Sequence, residues 1–315
     1  MLSRRLIRIK ILQMLYAYIK SGSNSPAKAE KDLFFSLNKT FDLYLYLLLF
    51  LIEVYRFAED RIELARQKKI PTYEDLHPNT KFIDNKIIQA IYNNDDFNKL
   101  IAEKKISWVQ HPELIKTFYK HLINTQLYEK YMASKDSTIE EDLALVNNLY
   151  KNEIIKYLDL HMVLEEESIF WNDDVEFIIG IIRKSLKDFV NNNNNLKLGP
   201  LFKNDEDIEF TKKLFRKAIL NHKGHLQLID EFTVNWDVER IAFMDILVLS
   251  QAITEITEFS SIPVKVTFNE YLEISKQYST PNSSSFINGV LDKIVQKLKN
   301  EKKIQKMGRG LVGEE

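Results

Sequence analysis

Apolar residues recur at helical spacing along almost the whole chain, so the informative features are the places where this pattern stops. Runs of turn-forming and polar residues interrupt it at 21–26, 68–81, 106–112, 132–137 and 191–200. The 315 residues include only 8 glycines and 7 prolines, so tight turns are few. The pattern therefore predicts an all-α protein.

The last third of the chain is predicted to form four helices in close succession. They span about 206–231, 236–258, 268–278 and 282–300. Thr267 and Glu270 have capping-box spacing at the head of the third helix, and the β-branched residues before it have no partner strand. Residues 264–268 are therefore predicted to be an extended connection.

Earlier in the chain, helix starts are marked by Pro112 and by the capping-box pair Ser137 and Glu140. The helix that begins at Pro112 is predicted to reach about Met132. Residues 43–52 carry no charge, but this segment is well short of the roughly 20 residues that span a bilayer. It is predicted to be a buried core helix, and the protein to be cytoplasmic without membrane contact.

Composition limits the chemistry that the chain can perform. No cysteine is present, which excludes disulfides, thiolate metal sites and a cysteine nucleophile. His222 and His225 lack the glutamate of a zinc-protease motif, and no glycine-rich phosphate loop occurs. We therefore expect no enzyme activity, no cofactor and no metal ion.

The net charge of −1 at pH 7 does not indicate a nucleic-acid partner, but the first helix is locally basic. On a helical wheel Arg4, Arg5 and Arg8 fall within one arc of about 100°, and Tyr16 lies beside it. Guanidinium groups match phosphate geometry, and a ring can stack on a base. A solvated basic face explains the same residues, so both interpretations remain open.

The start of the last helix is the second candidate site. Phe286 lies one position ahead of the apolar stripe, where partial exposure and core packing are both compatible with the sequence. Gly289 costs up to about 1 kcal/mol relative to alanine in a helix, so close helix packing is expected there. Asp245 stands among apolar residues and must reach solvent or a donor, whereas Trp236 is expected in the core.

Three blocks of the sequence occur in a recognisable order. They are SRRLIRIKILQMLYAY at 3–18, a helix with Arg240, Asp245 and Glu255 at 234–256, and a helix pair at 263–295. Their order and residues resemble the NusB family of bacterial transcription antitermination factors. The resemblance implies two packed helical bundles of three helices each.

The resemblance also implies partners and a binding surface. A NusB-like protein would bind the boxA element of ribosomal RNA leader transcripts together with NusE, a ribosomal protein of the small subunit. It would act within the antitermination complex of RNA polymerase. The RNA-binding residues implied in this chain are Arg4, Arg5, Arg8, Tyr16, Asp245, Asn282, Ser283 and Phe286.

The family is usually less than half this length, so an inserted helical module is expected. The expected segments are NusB-like helices at 1–65, the inserted module at 66–204, a NusB-like bundle at 205–300 and a flexible basic tail at 301–315.

Four positions depart from the family pattern. Leu6 and Ile9 reduce the basic motif of the first helix, Ser250 stands where Arg is frequent and Asn282 where an acid is common. The competing hypothesis is a protein-interaction scaffold that has lost direct RNA binding. Its sign would be Arg8 and Phe286 buried or paired internally. A ribosomal RNA cytosine methyltransferase, whose N-terminal domain is similar to NusB, is excluded because the chain lacks a cofactor loop and cysteine.

Overall fold

The computed structural model describes residues 2–22, 24–191, 200–233 and 241–312. The chain is 76% helical, and no strand occurs within those ranges. The prediction of an all-α protein is therefore confirmed. Trp236 and Arg240 lie outside the described residues.

Two compact units make up the fold. One contains Asn38–Leu201, and the other combines Leu2–Leu37 with Phe202–Glu315. Helix α2, Pro26–Arg66, begins in the second of these units and ends in the first. The units reflect packing and not the place of an insertion, so the expected segment boundaries at 66 and 204 stay a prediction.

The unit formed by Asn38–Leu201 contains the shorter helices. After α2 they are α3 (Tyr73–Leu76), α4 (Lys86–Tyr92), α5 (Asp95–Lys104), α6 (Pro112–Ile123), α7 (Gln126–Ala133), α8 (Ile139–Asn148), α9 (Leu158–Glu167) and α10 (Val175–Asn191). One π turn, Leu149–Glu153, and one 3-10 turn, Ile154–Lys156, connect α8 to α9.

The middle of α2 forms the centre of this unit, because every residue from 43 to 52 is buried. The indole N–H of Trp108 donates to the carbonyl of Tyr46 at 3.0 Å, and that of Trp171 to the carbonyl of Lys39 at 2.7 Å. These bonds satisfy the polar atoms of rings that are otherwise packed against apolar side chains. The predicted buried core helix is confirmed. Within the described ranges, none of the helices has the length and apolar character for a bilayer crossing.

The second unit packs its helices around one central helix. They are α1 (Arg4–Lys20), the start of α2, α11 (Asp205–Phe232), α12 (Phe243–Glu258), α13 (Val264–Tyr278) and α14 (Ser283–Asn300). Helix α12 contacts α1, α11, α13 and α14, and every residue from Leu247 to Ile256 is buried. The polar side chains of α12 must therefore find partners inside the unit.

Helix α13 begins earlier than the sequence predicts. Residues 264–268 are helical, not extended, and Pro263 occupies the N-cap position with extended backbone angles. Thr267 does not cap the helix, because its hydroxyl donates to Glu255 Oε1 at 2.9 Å. A buried hydrogen bond to another helix thus overrides the local β propensity of this run.

Two predicted boundaries in the other unit also shift. The helix from Pro112 ends at Ile123, where Thr125 caps the next helix by accepting the N–H of Tyr128. The cap of α8 is Thr138, one residue after the predicted Ser137. Ser and Thr both cap helices through a side-chain hydroxyl, so a Ser-Thr pair leaves the exact first residue of the helix open.

The chain after α14 turns back onto the loop between α12 and α13. The N–H of Met307 donates to the carbonyl of Ser260 at 3.0 Å, and Lys306 Nζ donates to the carbonyl of Phe259 at 2.9 Å. We call residues 303–312 the C-terminal strap. These contacts concern residues within 303–312, and the flexible basic tail expected at 301–315 stays a prediction.

Candidate nucleic-acid interface

The first two arginines of α1 are partly exposed and paired. Arg4 Nε donates to Asp207 Oδ1 at 2.8 Å, and Arg5 donates from Nε and Nη2 to the Glu270 carboxylate, both at 2.9 Å. Their side chains remain 37% and 42% exposed. Because a guanidinium carries five N–H donors, both groups retain donors that a phosphate could use.

Arg8 differs from these two because it is buried. Its side chain is 4% exposed, and its Nε and Nη2 donate to the Glu255 carboxylate at 2.7 and 2.8 Å. Burial alone would lower the pKa of Arg8, but the hydrogen bond and charge of Glu255 outweigh it and raise this pKa. Arg8 therefore stays charged and bound to Glu255.

Glu255 of α12 accepts hydrogen bonds from side chains of two other helices. Besides Arg8 of α1, it accepts from the hydroxyls of Thr267 and Tyr271 on α13, at 2.9 and 3.2 Å. Gln251 Nε2 of α12 donates to the carbonyl of Arg8 at 3.0 Å. The group joins α1, α12 and α13 and gives Arg8 a structural role instead of the RNA contact that the sequence suggested.

Asp245 is also buried and finds hydroxyl donors rather than solvent. Ser283 Oγ donates to Asp245 Oδ2 at 2.8 Å, and Ser279 Oγ donates to Asp245 Oδ1. Ser283 is 1% exposed and is the first residue of α14. Asp245 and Ser283 thus fix the start of α14 against the start of α12 and are not accessible to a ligand.

The residues around Ser283 are more accessible. Asn282 is exposed, and Phe286 is partly exposed on the first turn of α14. Gly289 is exposed, and apart from the backbone of its own helix no atom lies within 4 Å of the position of a Cβ, so the close helix packing expected there is wrong. The first turn of α14 therefore offers an amide and a ring at the surface.

An aromatic and basic cluster lies where α1 contacts the start of α12. The ring of Tyr16, 41% exposed, contacts Phe243 edge-on with 5.6 Å between centroids. Lys20 Nζ lies 4.2 Å from the centroid of the Phe243 ring, which is a cation–π distance. We call Tyr16, Lys20 and Phe243 the aromatic cluster.

The start of α12 contacts both the aromatic cluster and the first turn of α14, but not Arg4 or Arg5. Phe243 and Asp245 both belong to its first turn, so the aromatic cluster and the Asp245–Ser283 bond lie at one helix end. Arg4 and Arg5 lie toward the other end of α1, about 18 Å from Tyr16 along the helix axis.

Sequence reasoning missed Phe243 and the acidic partners of the arginines. Phe243 stands in the apolar run IAFMDILVL and reads as a core residue. Asp207 reads as an ordinary surface carboxylate of an amphipathic helix, and Glu270 reads as a member of a capping box. Only the packing of α1 against α11 and α13 pairs them with arginines, and no local pattern reports that packing.

The family model and the curated relatives that match this chain have the same family description. The family model described as the NusB family matches residues 177–296. The transcription antitermination protein NusB of Salinibacter ruber is 38% identical over 114 residues, which is 36% of this chain and 71% of that protein. Helix α1, with its arginines, lies outside the matched range 177–296.

Two further relatives have the same description. The NusB protein of Natranaerobius thermophilus is 34% identical over 98 residues, 30% of this chain and 70% of that protein. The NusB protein of Chloroherpeton thalassium is 36% identical over 104 residues, 33% of this chain and 49% of that protein. No solved structure matches the chain.

Proposed function

The chain belongs to the NusB family, and from that premise we propose that it is a transcription antitermination factor. It binds boxA-type RNA of ribosomal RNA leader transcripts together with the NusE ribosomal protein. The complex then acts with RNA polymerase to support ribosomal RNA transcription. NusB is not an enzyme family, in agreement with the prediction that the chain has no catalytic site.

The observation that carries this proposal is the convergence of accessible groups at the start of α12. Tyr16 and Lys20 of α1 meet Phe243 there, and the Asp245–Ser283 bond holds the first turn of α14 beside the same helix turn. Exposed rings next to cations are what single-stranded RNA uses for stacking and charge neutralisation.

The residues divide into two roles. Arg4 and Arg5 contact phosphates, because their side chains are accessible although each has a carboxylate partner. Tyr16 and Phe286 stack on bases, and the Asn282 amide supplies a hydrogen bond.

The buried members act indirectly. Arg8 holds α1 against α12 and α13, and the pair Asp245 and Ser283 holds the start of α14. These three are positioning residues, because none of them has a surface that RNA could reach.

A second candidate is the protein-interaction scaffold that binds NusE without RNA. The burial of Arg8 favours the scaffold, because this arginine, which was expected to contact RNA, is instead hydrogen-bonded to Glu255 inside the protein. The bidentate hydrogen bond from Arg5 to Glu270 also favours the scaffold, because it occupies two of the donors that could contact a phosphate.

The two candidates are separated by titrating fluorescent boxA-type RNA with the full-length chain, with and without purified NusE. A scrambled RNA of equal length is the control for charge. The antitermination proposal expects NusE to strengthen binding of boxA-type RNA more than that of the scrambled RNA. A complex with NusE that shows no gain in RNA affinity would support the scaffold and contradict the proposal.

A further inference from the structure

Helix α9 presents apolar side chains on the face that points away from its unit. Leu160 and Leu164 are buried and attach the helix to the core. Leu158 and Met162, one turn apart on the opposite side, are 76% and 63% exposed. A surface helix ordinarily places polar residues on its outer face, so this stripe is unusual.

Further exposed apolar residues stand at the C-terminal end of the helix. Ile169 is 76% exposed two residues after α9 ends. His111 Nε2 lies 3.2 Å from Glu167 Oε1, and this contact brings the loop with Val109, 83% exposed, to the same end of α9. We call Leu158, Met162 and Ile169 the α9 patch.

Carboxylates flank the α9 patch on both sides. At 100° per residue, Glu165 lies on one side of the stripe between Leu158 and Met162, and Asp159 and Glu166 lie on the other. All three acids are exposed. In the part of the chain that the structure describes, none of them has a cation within ion-pair distance.

We propose that the α9 patch binds a basic amphipathic helix of another protein. Apolar side chains of that helix would cover Leu158 and Met162, while its Lys and Arg side chains would pair with Asp159, Glu165 and Glu166. Exposed apolar surface rimmed by charges marks protein interaction sites, and one helix lying along another gives side chains that meet at turn spacing.

The three carboxylates beside the α9 patch favour a basic helix over a second copy of the chain, a nucleic acid or an anionic membrane. A second copy of the chain packed through the same face would set its acids against identical acids, which costs free energy at a two-fold interface. Nucleic acids and anionic membranes carry the same sign of charge as the patch and are disfavoured for that reason. A cationic helix removes the repulsion and covers the apolar stripe.

The test uses the full-length chain and a designed Leu/Lys peptide of about 18 residues with helical spacing. A Leu/Glu peptide of the same pattern and a Leu/Lys peptide of scrambled order are the matched probes. Fluorescence anisotropy measures the affinity at two salt concentrations. The proposal expects the Leu/Lys helix to bind in preference to both other peptides.

Three variants locate the binding site. Leu158→Gln with Met162→Gln should weaken binding by about tenfold or more, because the apolar contact is lost. Asp159→Asn with Glu165→Gln and Glu166→Gln should weaken binding and flatten its salt dependence. Leu220→Gln, at a 70% exposed leucine of α11, is the control and should have no effect.

Unchanged peptide affinity in both patch variants, with native circular dichroism, would overturn the proposal. So would a dimer in light scattering that Leu158→Gln with Met162→Gln converts to a monomer, because the occupant would then be a second copy. RNA affinity is measured on the same variants. It should not change, so this proposal and the proposed RNA binding fail or succeed separately.

Discussion

At the scale of single residues, the burial of Arg8 is the largest difference between sequence and structure. The helical wheel correctly groups Arg8 with Arg4 and Arg5, but it does not show which neighbours cover that face. Glu255, on a helix that is buried over ten consecutive positions, requires a cation inside the unit. The sequence could therefore identify the basic residues, whereas their division into exposed and buried arginines depends on tertiary packing.

Replacing Arg8 by Met should destabilise the protein strongly. Glu255 would then be buried with only hydroxyl donors, and removing one partner of a buried ion pair costs about 3–5 kcal/mol. The half-exposed pair of Arg5 provides the control, because Arg5→Met should cost about 1 kcal/mol or less. Urea unfolding followed by circular dichroism measures both. Equal losses in the two variants would show that the Arg8 pair is not buried in solution.

Arginine and tyrosine variants of α1 should affect RNA binding differently. Arg5→Ala removes one phosphate contact and should reduce the slope of log affinity against log salt by roughly 0.7. Tyr16→Ala removes a stacking ring and should cost about 1–3 kcal/mol with the slope nearly unchanged. Titrations at several salt concentrations measure both quantities. A slope unaltered in Arg5→Ala would indicate that its guanidinium stays with Glu270.

At the scale of elements, the sequence predicts helices well and their ends less well. The predicted helices 206–231 and 282–300 agree with α11 and α14 to within a residue or so. The predicted start of α13 was wrong, because residues 264–268 are helical and Thr267 donates its hydroxyl to Glu255 of another helix. Local propensity has no information about those contacts.

Two glycines should respond in opposite ways to alanine. In the C-terminal strap, a Cβ on Gly310 would lie 1.9 Å from the carbonyl oxygen of Ser260, which is backbone and cannot move away easily. Gly310→Ala should therefore detach the strap and speed hydrogen exchange of the Met307 amide. Gly289→Ala should instead stabilise α14 by about 0.5–1 kcal/mol, since the space around it is open. Unchanged exchange at Met307 would contradict the packing of the strap.

Acidification should weaken the packing of α11 on α12. Burial, assisted by the charge of His222, lowers the pKa of His225 from 6.5 to about 4, and His225 Nδ1 contacts Ser250 Oγ at 3.0 Å. Glu258, whose charge opposes this shift, also pairs with Lys213 and Lys217. Between these two pKa values the unfolded chain binds a proton that the folded chain does not. The contribution of neutral His225 to the free energy of unfolding is therefore fully present above pH 6.5 and decreases as the pH falls toward about 4.

The expected loss across that window is about 2–3 kcal/mol. His225→Asn retains a polar atom near the position of Nδ1 and cannot be protonated, so its stability should depend less on pH. Urea unfolding at a series of pH values measures the difference between the two proteins. Parallel curves for the parent and His225→Asn would show that His225 does not cause the pH dependence.

At the scale of the whole molecule, the hydrophobic pattern was sufficient for the fold class and insufficient for the division into units. The long α2 contributes to both units, and no composition change marks Leu37 or Asn38, where the division falls. The resemblance at α12 and α14 placed Asp245 and Ser283 in one site, and the structure joins them by a hydrogen bond. Their burial, like that of Arg8, could not be read from one sequence, because it depends on helices distant in the chain.

The central claim is that RNA binds at the start of α12, and ultraviolet crosslinking tests it most directly. The full-length chain is irradiated with boxA-type RNA in the presence of NusE, and the crosslinked peptides are identified by mass spectrometry. We expect crosslinks on the peptides that contain Tyr16, Phe243 and Phe286, reduced by Tyr16→Ala and Phe286→Ala in natively folded protein. Crosslinks confined to Asn38–Leu201, or none above those of a scrambled RNA, would contradict the account.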